Sequence, residues 1–250
     1  EVVADPPPRY DVAGLRHHRW ARGDWQLLPW ILRIPAGRCL APGPLPVIGR
    51  LKMLDNLRRT LTAPAAVAAL FAGWAALGNH AIVWTLFVLG SVVAPALMPL
   101  IDDLAPRTAG IRTRDRLRGM GADLRVATAR ALLLVTLLPH QAWLMSDAIV
   151  RTLWRLFVTR RRLLEWVPAA QLAAGLPLGV SDFYRRMWGV LPLACAGLAI
   201  SAIGSGEAWP LGVSISFAWL FAPFNRVFER ASHGYVGAVK RILRGSGIAL

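Results

Sequence analysis

Between Arg59 and Asp102 the chain runs for 42 residues without an aspartate, glutamate, lysine or arginine. As a single helix this stretch would be roughly 63 Å long at 1.5 Å per residue. The hydrocarbon core of a bilayer is only about 30 Å thick. The stretch therefore reads as two crossings, residues 63–77 and 81–100, turned back at Gly78-Asn79-His80. A second run, residues 187–225, carries only Glu207 among charged residues and is broken at Gly204-Ser205-Gly206-Glu207, which predicts a second hairpin. Apolar runs of this length are the membrane criterion. A chain that is 55% hydrophobic, with a mean hydropathy of +0.45, is also too apolar for an ordinary soluble domain of 250 residues.

Charge then orients the hairpins. All 29 lysines and arginines fall before Thr60, between residues 105 and 186, or after Asn225, and neither hairpin tip holds one. Basic residues mark the cytoplasmic side. Both termini and residues 151–162 are thus expected in the cytoplasm, with Asn79 and Glu207 outside. The net charge of +15 follows from that topology and from attraction to anionic headgroups, so membrane lipid is the expected partner. Nucleic acid is not, because the basic residues are dispersed among apolar segments and form no recognised RNA or DNA module.

The middle of the chain is less regular. Residues 131–146 form an uncharged run of only 16, interrupted by Pro139, which is short for a span and is expected to bend. Beyond it, Asp147, Arg151 and Arg155 recur every four residues opposite Leu144, Ala148, Leu153, Leu156 and Phe157, the pattern of an interfacial helix. Leu51, Leu54, Leu57 and Leu61, set against Lys52, Asp55, Arg58 and Arg59, predict another before the first hairpin. The expected fold is an all-α membrane protein of about four transmembrane helices in two hairpins, with interfacial amphipathic helices. A six-crossing arrangement, going out at 131–150 and back at 166–180, is the alternative.

Several chemistries find no support. Cys39 and Cys195 lie in a loop and in a predicted span, which disfavours a structural disulfide. The five histidines lack metal-ligand spacing. There is no glycine-rich phosphate loop and no GxSxG motif. The chain begins at Glu1 and reads as an internal piece of something larger.

One segment does point to chemistry: Arg16-His17-His18-Arg19-Trp20-Ala21-Arg22-Gly23-Asp24-Trp25-Gln26. Its Arg19-Trp20 resembles the (Q/R)xxRW signature that closes the active site of processive membrane glycosyltransferases. Transfer from a nucleotide sugar expels a diphosphate, and arginine bonds phosphate oxygens in pairs. Arg16, Arg19 and Arg22 are candidates for that work. An acceptor sugar presents a face of C–H groups that a flat indole covers. Trp20 and Trp25 are candidates there, with Trp30 behind them. Asp24 either orients an acceptor hydroxyl or holds an arginine. The competing reading is a juxtamembrane belt of tryptophan and arginine that only anchors the chain.

The blocks His18–Trp30, Lys52–Arg59 and Asp147–Trp166 together resemble the cyclic β-1,2-glucan synthases of bacteria, in the right order, from about residue 10 to about residue 225. The resemblance implies a large enzyme of the bacterial inner membrane. It takes glucose from UDP-glucose, inverts the anomeric configuration, builds a β-1,2-linked chain starting on the protein itself and closes it into a ring. Arg19 and Trp20 then take the positions that serve the diphosphate and the acceptor sugar. Two departures matter. Arg16 stands where cellulose-synthase-type enzymes have glutamine, so amide bonding to the acceptor does not carry over. The nucleotide-binding core, whose aspartates hold a divalent metal (Mg or Mn) and act as base, has no counterpart in this sequence, nor does the phosphorylase-like domain. No catalytic or metal-ligating residue is therefore assigned within the chain, and the chain alone is expected to be inactive. The expected organisation is a cytoplasmic end of the transferase core (1–50), an interfacial helix and first hairpin (51–101), a basic loop with interfacial or re-entrant helices (102–186), a second hairpin (187–225) and a cytoplasmic tail (226–250). A non-catalytic anchor, scaffold or polymer-translocation subunit is the alternative function.

Overall fold

The computed structural model describes residues 10–32, 46–104, 113–161 and 188–203, with positions 210, 212, 213 and 215, and every regular element among them is helical. Helix α1 spans Tyr10–Gln26 and α2 spans Leu28–Leu32. A 30-residue α3, Val47–Ala76, leads through a 3-10 turn, Gly78–His80, into α4, Ala81–Leu104. Then come the 42-residue α5, Thr113–Trp154, a π turn, Arg155–Thr159, and α6, Val190–Ile203.

The predicted turn of the first hairpin falls where the sequence places it. Gly78 takes φ 48°, a left-handed backbone that glycine adopts without cost, and the Leu77 and His80 amides bond back to the Gly73 and Leu77 carbonyls at 3.0 and 2.9 Å. Two indoles brace the arms from opposite sides. Trp74 Nε1 donates to Thr85 Oγ1 at 2.9 Å, whose hydroxyl donates to the Ala81 carbonyl at 2.7 Å. Trp84 Nε1 donates to the Ala69 carbonyl at 2.7 Å. The Trp84 ring lies so close to Gly73 that any Cβ there would overlap it. Each polar atom brought into this apolar setting thus has a partner.

Helix α5 touches α1, α3, α4 and α6 and is the element around which the others gather. Leu138 and Ala142 on α5 meet Val67, Leu70 and Trp74 on α3, Val88 on α4, and Val190 and Ala194 on α6 in one core. A second cluster joins Trp25 and Ile31 to Leu57 and Ile149. Pro139 does not end the helix: α5 continues past it, with Thr136 Oγ1 bonded back to the Leu132 carbonyl at 2.6 Å one turn earlier. Proline is tolerated inside long apolar helices, where packed neighbours and hydroxyls satisfy the backbone it frees.

Two of the described helices are long and apolar enough to cross a membrane, Gly78–Met98 and Asp123–Thr159. The second places residues 131–154 in one helix longer than the 16-residue run suggested, since charged residues before and after the apolar run extend the same helix. It matches the outgoing arm of the six-crossing alternative, whose return at 166–180 lies outside the described residues. The stretch predicted as a separate interfacial helix, Leu51 to Leu61, is instead the first half of α3. Of the second hairpin only α6 is substantially described, and its 14 residues, roughly 21 Å, fall short of a span. Four crossings are therefore not established by the described helices. The membrane character of the surface is clearer: Val83, Leu86 and Phe87 on α4 are each about two-thirds exposed, at 67, 66 and 65%, as an apolar solvent favours and water does not.

Candidate functional site

Helix α1 holds the candidate arginines with Trp20, Asp24 and Trp25, and its packing sorts them by face, whereas Trp30 lies on α2, exposed and outside the cavity lining described below. Gly14, His18, Ala21 and Trp25, spaced by four, three and four, form one stripe. Gly14, Ala21 and Trp25 are buried and His18 is half-buried. The neighbouring stripe, Ala13, His17, Trp20 and Asp24, borders a cavity of about 1010 Å³ between α1, α3, α4 and α5. Gly14 and Ala21 touch its edge and Arg19 and Gly23 also line it, as do Asn56 and Arg59 from α3, Val92 from α4, and Leu134, Leu138, Gln141, Leu144 and Met145 from α5. The cavity is thus polar on the side of α1 and the start of α3, and apolar where it meets the long helices.

The candidate residues separate accordingly. Trp20 is 52% exposed and faces the cavity, with the Arg16 guanidinium 4.9 Å from its ring centroid and the His17 ring 5.7 Å away. Arg16 therefore backs the indole, and its buried Nε makes no hydrogen bond. Trp25 is not a free platform: it is buried, its Nε1 donates to Thr60 Oγ1 at 2.9 Å, and Thr60 in turn donates to the Leu57 carbonyl at 2.8 Å. That bond makes Trp25 a pin between α1 and α3. Arg19 reaches the cavity wall, whereas Arg22 is not part of that lining. Asp24 accepts from Asn56 Nδ2 at 3.4 Å. Burial raises its pKa above the ordinary carboxylate value, and the Asn56 bond opposes the rise.

No known family profile matches the chain. Over 224 residues it is 38% identical to the cyclic β-(1,2)-glucan synthase NdvB of Rhizobium meliloti (strain 1021), an alignment that takes in 89% of this chain and 8% of that protein. The chain is similar to one segment of a glucan synthase. The resemblance read from the three sequence blocks thus holds, and it extends over nearly all of the chain while spanning a small part of the synthase's length. The metal such an enzyme is expected to use finds no fit here: among the described residues no three histidine, cysteine, aspartate or glutamate side chains come together to hold one.

Sequence reasoning missed three participants in this glucan-synthase-like segment. Asn56 and Gln141 line the cavity from helices far from α1 in sequence, and no local pattern marks them. His18, read as one of five histidines without metal-ligand spacing, has its Nε2 2.9 Å from Asp147 Oδ2, across 129 residues. Arg151 Nε donates to the other oxygen of the same carboxylate at 2.7 Å. An ionised carboxylate only accepts, so His18 is the Nε2–H donor. Burial lowers the His18 pKa, and the bond to Asp147 opposes that shift. The heptad-like spacing of residues 14, 18, 21 and 25 was the available signal, since it puts a histidine on the packed side of α1.

Proposed function

We propose that this chain is the membrane-embedded region of a processive, inverting glycosyltransferase that makes cyclic β-1,2-glucan from UDP-glucose, with the nucleotide-binding core and the phosphorylase-like domain supplied elsewhere in the full protein. One conjunction carries the reading: the Arg19-Trp20 pair borders, with Asp24, a cavity that continues between long apolar helices. In this account the exposed Trp20 indole takes the C–H face of the terminal glucose of the growing chain. Arg16 holds the ring in place from behind. Asp24 and Asn56 accept and donate to sugar hydroxyls at the edge of that platform. Arg19 lies where negative charge develops as the diphosphate leaves. The divalent metal, Mg or Mn, belongs with the core, and no step in this chain runs through it.

The same reading puts the chain in the bacterial inner membrane as a multi-pass region, with α4 and the apolar run of α5 as candidate crossings. Its partners are lipid, UDP-glucose and the nascent glucan, without nucleic acid. The similarity to a glucan synthase and the exposed apolar face of α4 support it.

The test is mutational. In the full-length synthase, Trp20→Ala should impair chain elongation with nucleotide binding largely kept. Arg19→Ala should cost about 2–4 kcal/mol at the transition state, by analogy with removing one charge-stabilising donor. Near-normal polymerisation in both variants would return the segment to an anchoring role.

A further inference from the structure

Trp20 and Asp24 reach the cavity only if α1 is rolled correctly about its own axis. A roll of about 100°, one residue's turn on a helix with 3.6 residues per turn, would bring the adjacent stripe round instead. Along the first three turns of α1 apolar packing defines that roll weakly, because the buried stripe there offers only a glycine and an alanine, Gly14 and Ala21; Trp25, bonded to Thr60, holds the far end. Gly14 and Ala21 offer little shape to lock against. The fourth member, His18, is polar and sits between them, and it makes the bond to Asp147 Oδ2. Asp147 is itself fixed on α5 by Arg151, one turn on. A polar contact inside a largely apolar seam is a known device for specifying register; the buried His140 ring of α5 lies beside Gly14 in the same seam.

We infer that the His18–Asp147 pair sets the rotational register of α1 on α5, and thereby aims Trp20 and Asp24 into the cavity. His18 and Asp147 are positioning residues, since neither His18 nor Asp147 borders the cavity. The arrangement is directional: the bond ties residue 18 to α5, and the stripe 13, 17, 20, 24 is then left on the adjoining side. The catalytic consequence rests on the function proposed above, whereas the register does not.

The register can be read without activity. A Cβ at Gly14 would sit 3.4 Å from Leu144 Cδ2, so a Gly14→Cys/Leu144→Cys pair, in a chain with Cys39 and Cys195 replaced by serine, should form a disulfide in bacterial membranes under mild oxidant. His18→Leu keeps apolar packing and removes the bond. It should cut the cross-linking yield several-fold, as should Asp147→Leu. His18→Gln places an amide N–H near the position of Nε2, and Asp147→Asn keeps an acceptor; both should restore most of the yield. In the full-length synthase, His18→Leu should lower polymerisation about tenfold, the effect of losing one charge-assisted hydrogen bond, and should add little to the loss from Trp20→Ala. Cross-linking unchanged in His18→Leu would overturn the inference. So would equal loss in His18→Leu and His18→Gln, since that would assign the effect to the imidazole's bulk. Loss of cross-linking with normal polymerisation in both His18→Leu and Trp20→Ala would leave the register role standing and overturn the proposed function instead.

Discussion

Asp24 shows at the scale of one residue how a site differs from a merely stable surface. Burial raises its pKa, with the Asn56 hydrogen bond opposing. A carboxyl whose folded value lies above its unfolded one favours folding only at low pH and burdens the fold at neutral pH. Asp24→Asn keeps an oxygen for Asn56 and removes that burden. The variant is expected to match or exceed the parent in thermal stability at pH 7, while polymerisation by the full-length synthase falls several-fold; a clear loss of stability would contradict this. His18 runs the other way. Its pKa is lowered from 6.5, mainly by burial, with Asp147 pulling it up and Arg22 and Arg151 pushing it down. A depressed histidine lends stability above its unfolded value that is lost as pH falls through the folded one. Melting temperature in detergent should therefore drop as pH falls below about 6.5, and His18→Gln should flatten part of that drop. His17 is depressed in the same direction by burial and by Arg16, so the double variant His17→Gln/His18→Gln should flatten more of it. A parent curve with no slope in this range would refute the assignment. Trp20 was legible at this scale because its motif is local. The His18–Asp147 pair was not, because nothing in the sequence brings together two residues 129 apart.

Among elements, the first hairpin was the most legible, since an uncharged run twice the bilayer thickness with turn residues at its middle leaves few alternatives. What the sequence does not announce is how the arms lock. Gly73→Ala would drive a methyl into the Trp84 ring and should destabilise the hairpin by about 1–3 kcal/mol, as overpacking typically does. Replacing Trp84 by leucine in the same chain should recover part of the loss. Thr85→Val removes the acceptor of a fully buried indole and should cost roughly 1 kcal/mol. Thermal unfolding in detergent checks both, and a Gly73→Ala chain as stable as the parent would show that the arms are not close-packed there. Helix α5 was misread for a physical reason. Proline tends to end helices in water, but inside packed apolar helices the hydrogen-bonded run continues past it, as at Pro139. Asp147, Arg151 and Arg155 were read correctly as one helical face, yet their spacing could not reveal that α1 supplies the partner.

For the whole molecule, the sequence conveys class and kinship, and the structure adds the cavity. All-helical architecture and an apolar exterior follow from composition, whereas a space shared by α1, α3, α4 and α5 depends on tertiary packing. The account predicts that the purified chain inserts into liposomes as helices but neither turns over UDP-glucose nor binds it in a metal-dependent way. Metal-dependent glucose transfer by this chain alone in proteoliposomes would show the active site to be misplaced. The central claim is that the nascent glucan passes along Trp20. The most direct measurement puts a photoreactive phenylalanine analogue at position 20, and a control at the 64%-exposed Val150, in the full-length synthase supplied with radiolabelled UDP-glucose. Illumination during synthesis should attach labelled glucan at position 20 and none at position 150; label absent from position 20 while polymer is being made, or equal at both positions, would contradict the account.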